Sequence, residues 1–375
     1  VRARSVPGAV IGTGQDSSAG PAQRAPGRSK PHTFATLDGL RGVAALAVIL
    51  FHVPGLLGPI RLAHGYLAVD FFFMLSGFVL AYAYGDRLGR GWPTRSFLLV
   101  RFIRLYPVYS LTLLFGFGAA FLPIGFQTGS SHRMLARLAL GLVFLPSFPS
   151  DMWLFPLNFP SWSILLEGIG NLGHALFLRR RSSTQLALVA SCAAVGVAWT
   201  AVRVGHLNFG SIRPIASFAV FRLAFGYVTG MLLYRVWHSR RRSIPAAGLL
   251  STVILCGIFA LPMSSAHLVV IDIVCALLAF PLLVLLAASS TPGPRATSVC
   301  KFLGAISYPV YLLHIPLYFV FAGIYRHAPG KAAPPTLTMG IVYLPTLLVL
   351  SWLAVRFVDA PLRATLTRRL QRHLV

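Results

Sequence analysis

Apolar runs of about 20 residues recur from Leu37 to Val358, and each is long enough to cross a hydrocarbon core of about 30 Å. No other feature narrows the possible folds so sharply. Composition agrees with it. Of the 375 residues, 56% are hydrophobic and 11% are charged, where a soluble domain carries about 25% charged residues. Such a chain cannot cover a water-facing surface. The expected architecture is all-α, a polytopic transmembrane helix bundle of about ten spans in one membrane domain over 37–363. The runs fall at 37–57, 67–84, 101–122, 161–178, 185–202, 215–237, 246–262, 267–289, 303–325 and 336–357.

Residues 1–36 are rich in Arg, Pro, Gly and Ser and lack an apolar stretch. They read as a disordered basic tail, with a second short basic tail over 364–375. A basic tail before an apolar run can mimic a signal peptide, but no convincing small-residue cleavage site follows, so the first run is read as retained. The net charge of +25 could point to nucleic acid. However, the cations are nearly all Arg and sit in the gaps between apolar runs, which fits the positive-inside rule. A nucleic-acid partner is therefore not expected. The partner is the lipid bilayer.

Alternation from an inside N-terminus puts Arg87, Arg90 and Arg95, then Arg179–Arg181, Arg240–Arg242, and Arg295 with Lys301 on the inner side. Both termini are then cytoplasmic in a multi-pass cell-membrane protein. The partition holds only if the apolar piece 134–148 does not cross, so that piece is expected to be re-entrant or interfacial. Cys192, Cys256, Cys275 and Cys300 form no C-x-x-C pair and no metal-ligand spacing. They read as small buried apolar residues, and no metal is expected.

Ionisable groups inside spans are expensive and point to function. Arg41 and His52 share the first span. At about 100° and about 1.5 Å per residue they project from one face, roughly 16 Å apart along the axis. Asp38 lies one turn before Arg41 and can pair with it or cap the helix. Taken alone, Arg41 reads equally well as a snorkelling anchor and His52 as a helix-packing group. Asp70 opens the second span, while Ser76-Gly77 reads as a packing site. Arg101 and Arg104 precede Pro107 as edge anchors or as guanidiniums suited to phosphate. Glu167 is the only glutamate in the chain, lies about two turns into a span, and needs a partner. Ser163 and His174 share its face. Tyr311 and His314 share another, and Asp272 lies inside the eighth span with no partner evident.

These residues together resemble the membrane-bound acyltransferase 3 family. The resemblance rests on Leu37-Asp38-Gly39-Leu40-Arg41-Gly42 with His52, on Val69 to Phe78, and on Arg101 to Pro107. It continues through Trp162-Ser163 with Glu167, Ser307-Tyr308 through Tyr311-Leu312-Leu313-His314, and Phe357-Val358-Asp359-Ala360-Pro361. The second glutamate of the family pattern is replaced here by Gly168, and Asp359 stands where a Glu is usual.

The resemblance implies O-acylation of a hydroxyl from a cytoplasmic acyl-CoA, acetyl-CoA in the simplest case, with no permanently bound cofactor. It implies His52, Glu167 and Arg41 as catalytic residues, with Glu167 orienting His52, and Arg101 and Arg104 on the coenzyme's phosphates. Asp70, Trp162, Ser163, Tyr311 and His314 would bind substrate. The acceptor would be a carbohydrate, a glycolipid or a secondary metabolite. A proton-coupled transporter of a small polar or anionic solute is the rival that charge placement alone leaves standing.

Overall fold

The computed structural model describes residues 33–122, 130–240, 242–263, 267–326 and 337–373. The basic tail expected over 1–36 lies, up to residue 32, outside the described residues. The rest is helical, with no strand among the described residues. The helices are α1 (Ala35–His52), α2 (Ala68–Gly89), α3 (Thr94–Ala120), α4 (Ser131–Leu142), α5 (Ser161–Gly173), α6 (Ser183–Val204) and the single turn α7 (Arg213–Ala216). After these come α8 (Ala219–Ser239), α9 (Ala247–Ala260), α10 (Leu268–Val274), α11 (Phe280–Ala288), α12 (Pro294–Arg326), α13 (Leu337–Leu353) and α14 (Ala360–His373).

Eight helical stretches among the described residues are long and apolar enough to cross a membrane. Of the ten expected spans, 161–178 is helical as α5 plus a π turn at His174–Leu178. It holds Glu167 and does not rank with the eight. The run at 246–262 is α9, whose 14 residues cover only about 21 Å, too short for a straight crossing. The piece at 134–148 is not a span: α4 has 12 residues, about 18 Å, and gives way to an irregular stretch from Val143 to Pro160. The C-terminal tail is helical, because a π turn at Ala354–Asp359 joins α13 to α14. Cys192 and Cys256 lie exposed on the bundle's outer surface, not buried.

Local chemistry sets the ends of the elements. The first span was expected to reach residue 57, but α1 stops at His52. Pro54 disfavours helical backbone in Val53, and Gly55 turns the chain with φ of 89°. Ser182 and Gln185 form a capping box at the start of α6, satisfying amide groups that no preceding turn can reach.

Small residues let backbones approach closely, as expected where lipid removes the hydrophobic drive between helices. A Cβ on Gly77 of α2 would collide with the Tyr227 carbonyl of α8, and one on Gly230 with the Met74 carbonyl. Gly42 seats α1 against Leu303 of α12 in the same way. Outward-facing Leu188, Val195, Val202, Leu249, Leu278, Leu282, Ile341 and Val349 are more than half exposed, which is the surface a bilayer would cover.

The irregular stretch 143–160 is fixed from both sides. Pro316 in α12 has no N–H to give to the Leu312 carbonyl, and Asn158 Nδ2 donates to that carbonyl at 3.0 Å instead. Gly116 of α3 brings the chain against the Leu157 carbonyl. This stretch is thereby held against α3 and α12.

Candidate active site

Two cavities sit at opposite ends of α1. The first, about 390 Å³, is lined by Asp38 and Arg41 of α1, Ser76 of α2, Arg101 and Arg104 of α3, Ser163 and Glu167 of α5, Ser307, Tyr308 and Tyr311 of α12, and Arg363 of α14. Four guanidiniums meet there against few carboxylates. Arg41 donates through Nη2 to Asp38 Oδ1 at 2.8 Å and through Nε to Ser307 Oγ at 3.1 Å. Arg101 Nη2 donates to Glu167 Oε1 at 2.8 Å, and Ser76 Oγ donates to the same oxygen at 3.1 Å. Arg363 pairs with Asp359 at 2.7 Å. Arg104 has no hydrogen-bond or ion-pair partner among the described residues, which leaves its donors open to a ligand.

The second cavity, about 300 Å³, holds His52 with Tyr66, Trp153, Phe159, Trp162, Phe209, Tyr311 and Tyr318 in its wall. His52 ends its helix and is exposed to this space. The tautomers follow from the hydrogen bonds. His314 Nδ1–H donates to the Tyr311 carbonyl at 2.6 Å, so with a neutral ring its Nε2 carries a lone pair. His52 Nδ1 lies 3.1 Å from that Nε2 and 3.0 Å from the Val48 carbonyl. Both neighbours are acceptors, so Nδ1 of His52 holds the proton. Nε2 of His52 is left with its lone pair free to act as a base.

Sequence reasoning placed Glu167 beside His52, and the structure corrects this. The two line different cavities, and Glu167 is engaged by Arg101 and Ser76. The group that meets His52 is His314. Arg41 and His52 occupy one face of α1 as the helical period requires, yet they open into separate spaces. Asp70 lines neither cavity. Arg222 Nε and Nη2 clamp its two oxygens at 2.8 and 2.6 Å, with both residues buried. Trp162 lines the His52 cavity, and Ser163 lines the arginine cavity. His174 meets Tyr227 at 3.3 Å, not Glu167.

Two groups went unnoticed in the sequence, Arg222 and Arg363, and a third, Asp272, was noticed without its partners. Arg222 lies inside the apolar run 215–237, and an arginine there had to have an acid; Asp70 and Asp272 were both candidates. The turn at Ala354–Asp359 carries Arg363 back to the arginine cavity. Asp272 accepts from the Tyr66 hydroxyl at 2.6 Å and from the Leu207 amide at 2.7 Å.

A separate cluster secures the chain that roofs the second cavity. Arg133 and Arg137 of α4 converge on Asp151, with both Nη2 atoms 2.7 Å from its Oδ1, and Ser147 donates to Oδ2. Arg213 Nε donates to the Asp151 carbonyl at 3.1 Å. Burial works to raise the Asp151 carboxyl, but the bonds from Arg137, Ser147 and Arg133 win and hold it well below the usual carboxylate range. A depressed folded value means the ionised clamp stabilises fully above the unfolded value near pH 4, about 3.9, and loses that contribution as pH falls through the folded value. Asp151→Asn is expected to lower stability at pH 7 by about 1–3 kcal/mol and to flatten the acid limb of thermal unfolding recorded between about pH 2 and 5. An unchanged acid limb in the variant would contradict this role.

No solved structure matches the chain. A protein from Rhizobium radiobacter called "Protein 2 in picA locus" is 39% identical over 182 residues, 45% of this chain and 94% of that protein. A family model described as an acyltransferase domain, acyltransferase 3, matches residues 34–356. That match takes in α1 with Arg41 and His52, both cavities except for Arg363, and the α12 segment that carries Tyr311 and His314. The chain belongs to the acyltransferase 3 family of membrane acyltransferases.

Proposed function

We propose that the protein moves an acyl group from a coenzyme A thioester to a hydroxyl of a carbohydrate, glycolipid or other small-molecule acceptor. One observation carries the reading: a cavity with four guanidiniums backs onto a cavity with a free imidazole nitrogen, and the two share a wall at Val69 and Tyr311. Coenzyme A is a polyphosphate with a long, thin pantetheine arm. Planar guanidiniums suit its phosphates, with Arg104 as the unpaired donor and Arg41, Arg101 and Arg363 around it. The arm would reach through the shared wall towards His52.

The step then follows from the tautomers. His52 Nε2 takes the proton of the acceptor hydroxyl as its oxygen attacks the thioester carbonyl. A C–O bond forms, the C–S bond breaks, and the coenzyme thiolate leaves and takes the proton from the His52 imidazolium. His52 Nδ1–H, aimed at the Val48 carbonyl and His314 Nε2, keeps the ring in the working tautomer and stabilises its charged form. His314 thus has the orienting role that sequence reasoning gave to Glu167. Glu167 instead positions Arg101 in the donor cavity. The arginine cavity would open to the cytoplasm, where coenzyme A thioesters are made, and the loop clusters Arg87–Arg95 and Arg179–Arg181 support that orientation.

Purified protein in nanodiscs is expected to carry label from acetyl-CoA into an acceptor hydroxyl and to release free thiol. A transporter would move a solute across a sealed vesicle without cleaving the thioester. Arg104→Ala is expected to raise KM for acetyl-CoA about tenfold, the size of one charge-assisted hydrogen bond, with kcat little changed. An unaltered KM would remove Arg104 from the donor site.

A further inference from the structure

Very little separates the two cavities. Val69 and Tyr311 are the residues common to both walls, and both are buried. Val69 stands in the first turn of α2, beside Asp70, which the ion pair to Arg222 locks in place. Tyr311 is held at both ends. Its ring meets Phe72 edge-on at 5.6 Å, and its hydroxyl lies 2.8 Å from Ser163 Oγ. Ser163 gives its own proton to the Pro160 carbonyl at 2.9 Å, so the Tyr311 hydroxyl is the donor and has no proton left for a substrate.

The position of this barrier matters for the chemistry. The Tyr311 ring lies 6.0 Å from the His314 ring, and His314 lies 5.1 Å from His52. On the other side, Phe72, Ser163 and Ser307 belong to the arginine cavity. A polyphosphate cannot cross an apolar barrier of this kind, because desolvating its charges is prohibitive. A thin pantetheine arm with its thioester can. With the thioester carbon beside His52 Nε2, the acyl chain has to be housed within a side chain's length of the barrier.

We infer that Val69 and Tyr311 form an apolar septum between donor and base, tethered by the Tyr311–Ser163 hydrogen bond, whose bulk sets the longest acyl group the protein transfers. The inference rests on the acyl-CoA reading above and on its bond changes: a C–O ester bond formed, a C–S bond broken, the coenzyme released as thiol. The septum takes no part in proton transfer. It selects by volume, and a single methylene in such a pocket discriminates by about 10–200-fold.

The test compares acetyl-, butyryl- and hexanoyl-CoA with one acceptor, reading kcat/KM from thiol release by the full-length protein in nanodiscs. Val69→Ala is expected to raise the hexanoyl-to-acetyl ratio about tenfold or more, and Val69→Ile to lower it by a similar factor. Ser163→Ala removes the tether without taking bulk from the septum, and should move the ratio in the direction of Val69→Ala by a smaller factor. Each ratio is internal to one preparation, so partial misfolding cannot produce shifts of opposite sign. Ratios within about twofold of the parent in both Val69 variants would overturn the septum while leaving acyl transfer intact. A parent protein that cleaves none of the three thioesters would overturn the acyl-CoA reading, and the septum with it.

Discussion

His52→Ala is expected to cut acyl transfer by about 10²–10⁴-fold, the usual contribution of a positioned general base, with KM for the acyl donor little changed. The reason is spatial. His52 lines the aromatic cavity, while the guanidiniums line the other, so removing the imidazole takes away the proposed base without disturbing the proposed donor site. Steady-state kinetics in nanodiscs would separate the two effects.

The neighbouring residues sharpen the expectation. His314→Gln keeps an acceptor for His52 Nδ1–H and should lose far less activity than His314→Phe, which offers none. Glu167→Gln should weaken donor binding through Arg101, raising KM and sparing kcat. Full activity in His52→Ala would end the mechanism. A pure kcat loss in Glu167→Gln would restore the carboxylate to the base.

Asp70→Ala is expected to destabilise the protein by about 3–5 kcal/mol, the cost of stripping one partner from a buried ion pair. Arg222 is 2% exposed and gives two hydrogen bonds to Asp70, so its charge would be left without a counterion between α2 and α8. The double variant Asp70→Ala with Arg222→Met should recover part of the loss, since no unpaired charge remains. Recovery cannot be complete, because Arg222 also donates to the Phe209 carbonyl at 2.6 Å. Thermal unfolding in detergent across the double-mutant cycle gives the coupling. Additive losses would mean that the pair carries no mutual stabilisation.

These expectations depend unequally on sequence and on tertiary structure. Helical class and most span positions were legible, because apolar length and charge spacing are local properties. α2 begins at its expected place, and α3 and α12 start about two to two and a half turns ahead of theirs. The early end of α1 was also open to reading, since Pro54 and Gly55 stand in plain sight. So was the shared face of Arg41 and His52, which needs only the helical period.

Pairing was not legible. Asp70 meets Arg222 across 152 positions, and His52 meets His314 across 262. The sequence alone determined which side chains share a face of one helix, because backbone geometry repeats every few residues. Only the tertiary structure decided which faces meet, which acid neutralises which guanidinium, and that Glu167 serves the arginine side while a second imidazole serves His52. Periodicity fixes direction around one axis; it holds no information on the distance to another helix, which packing of the whole bundle sets.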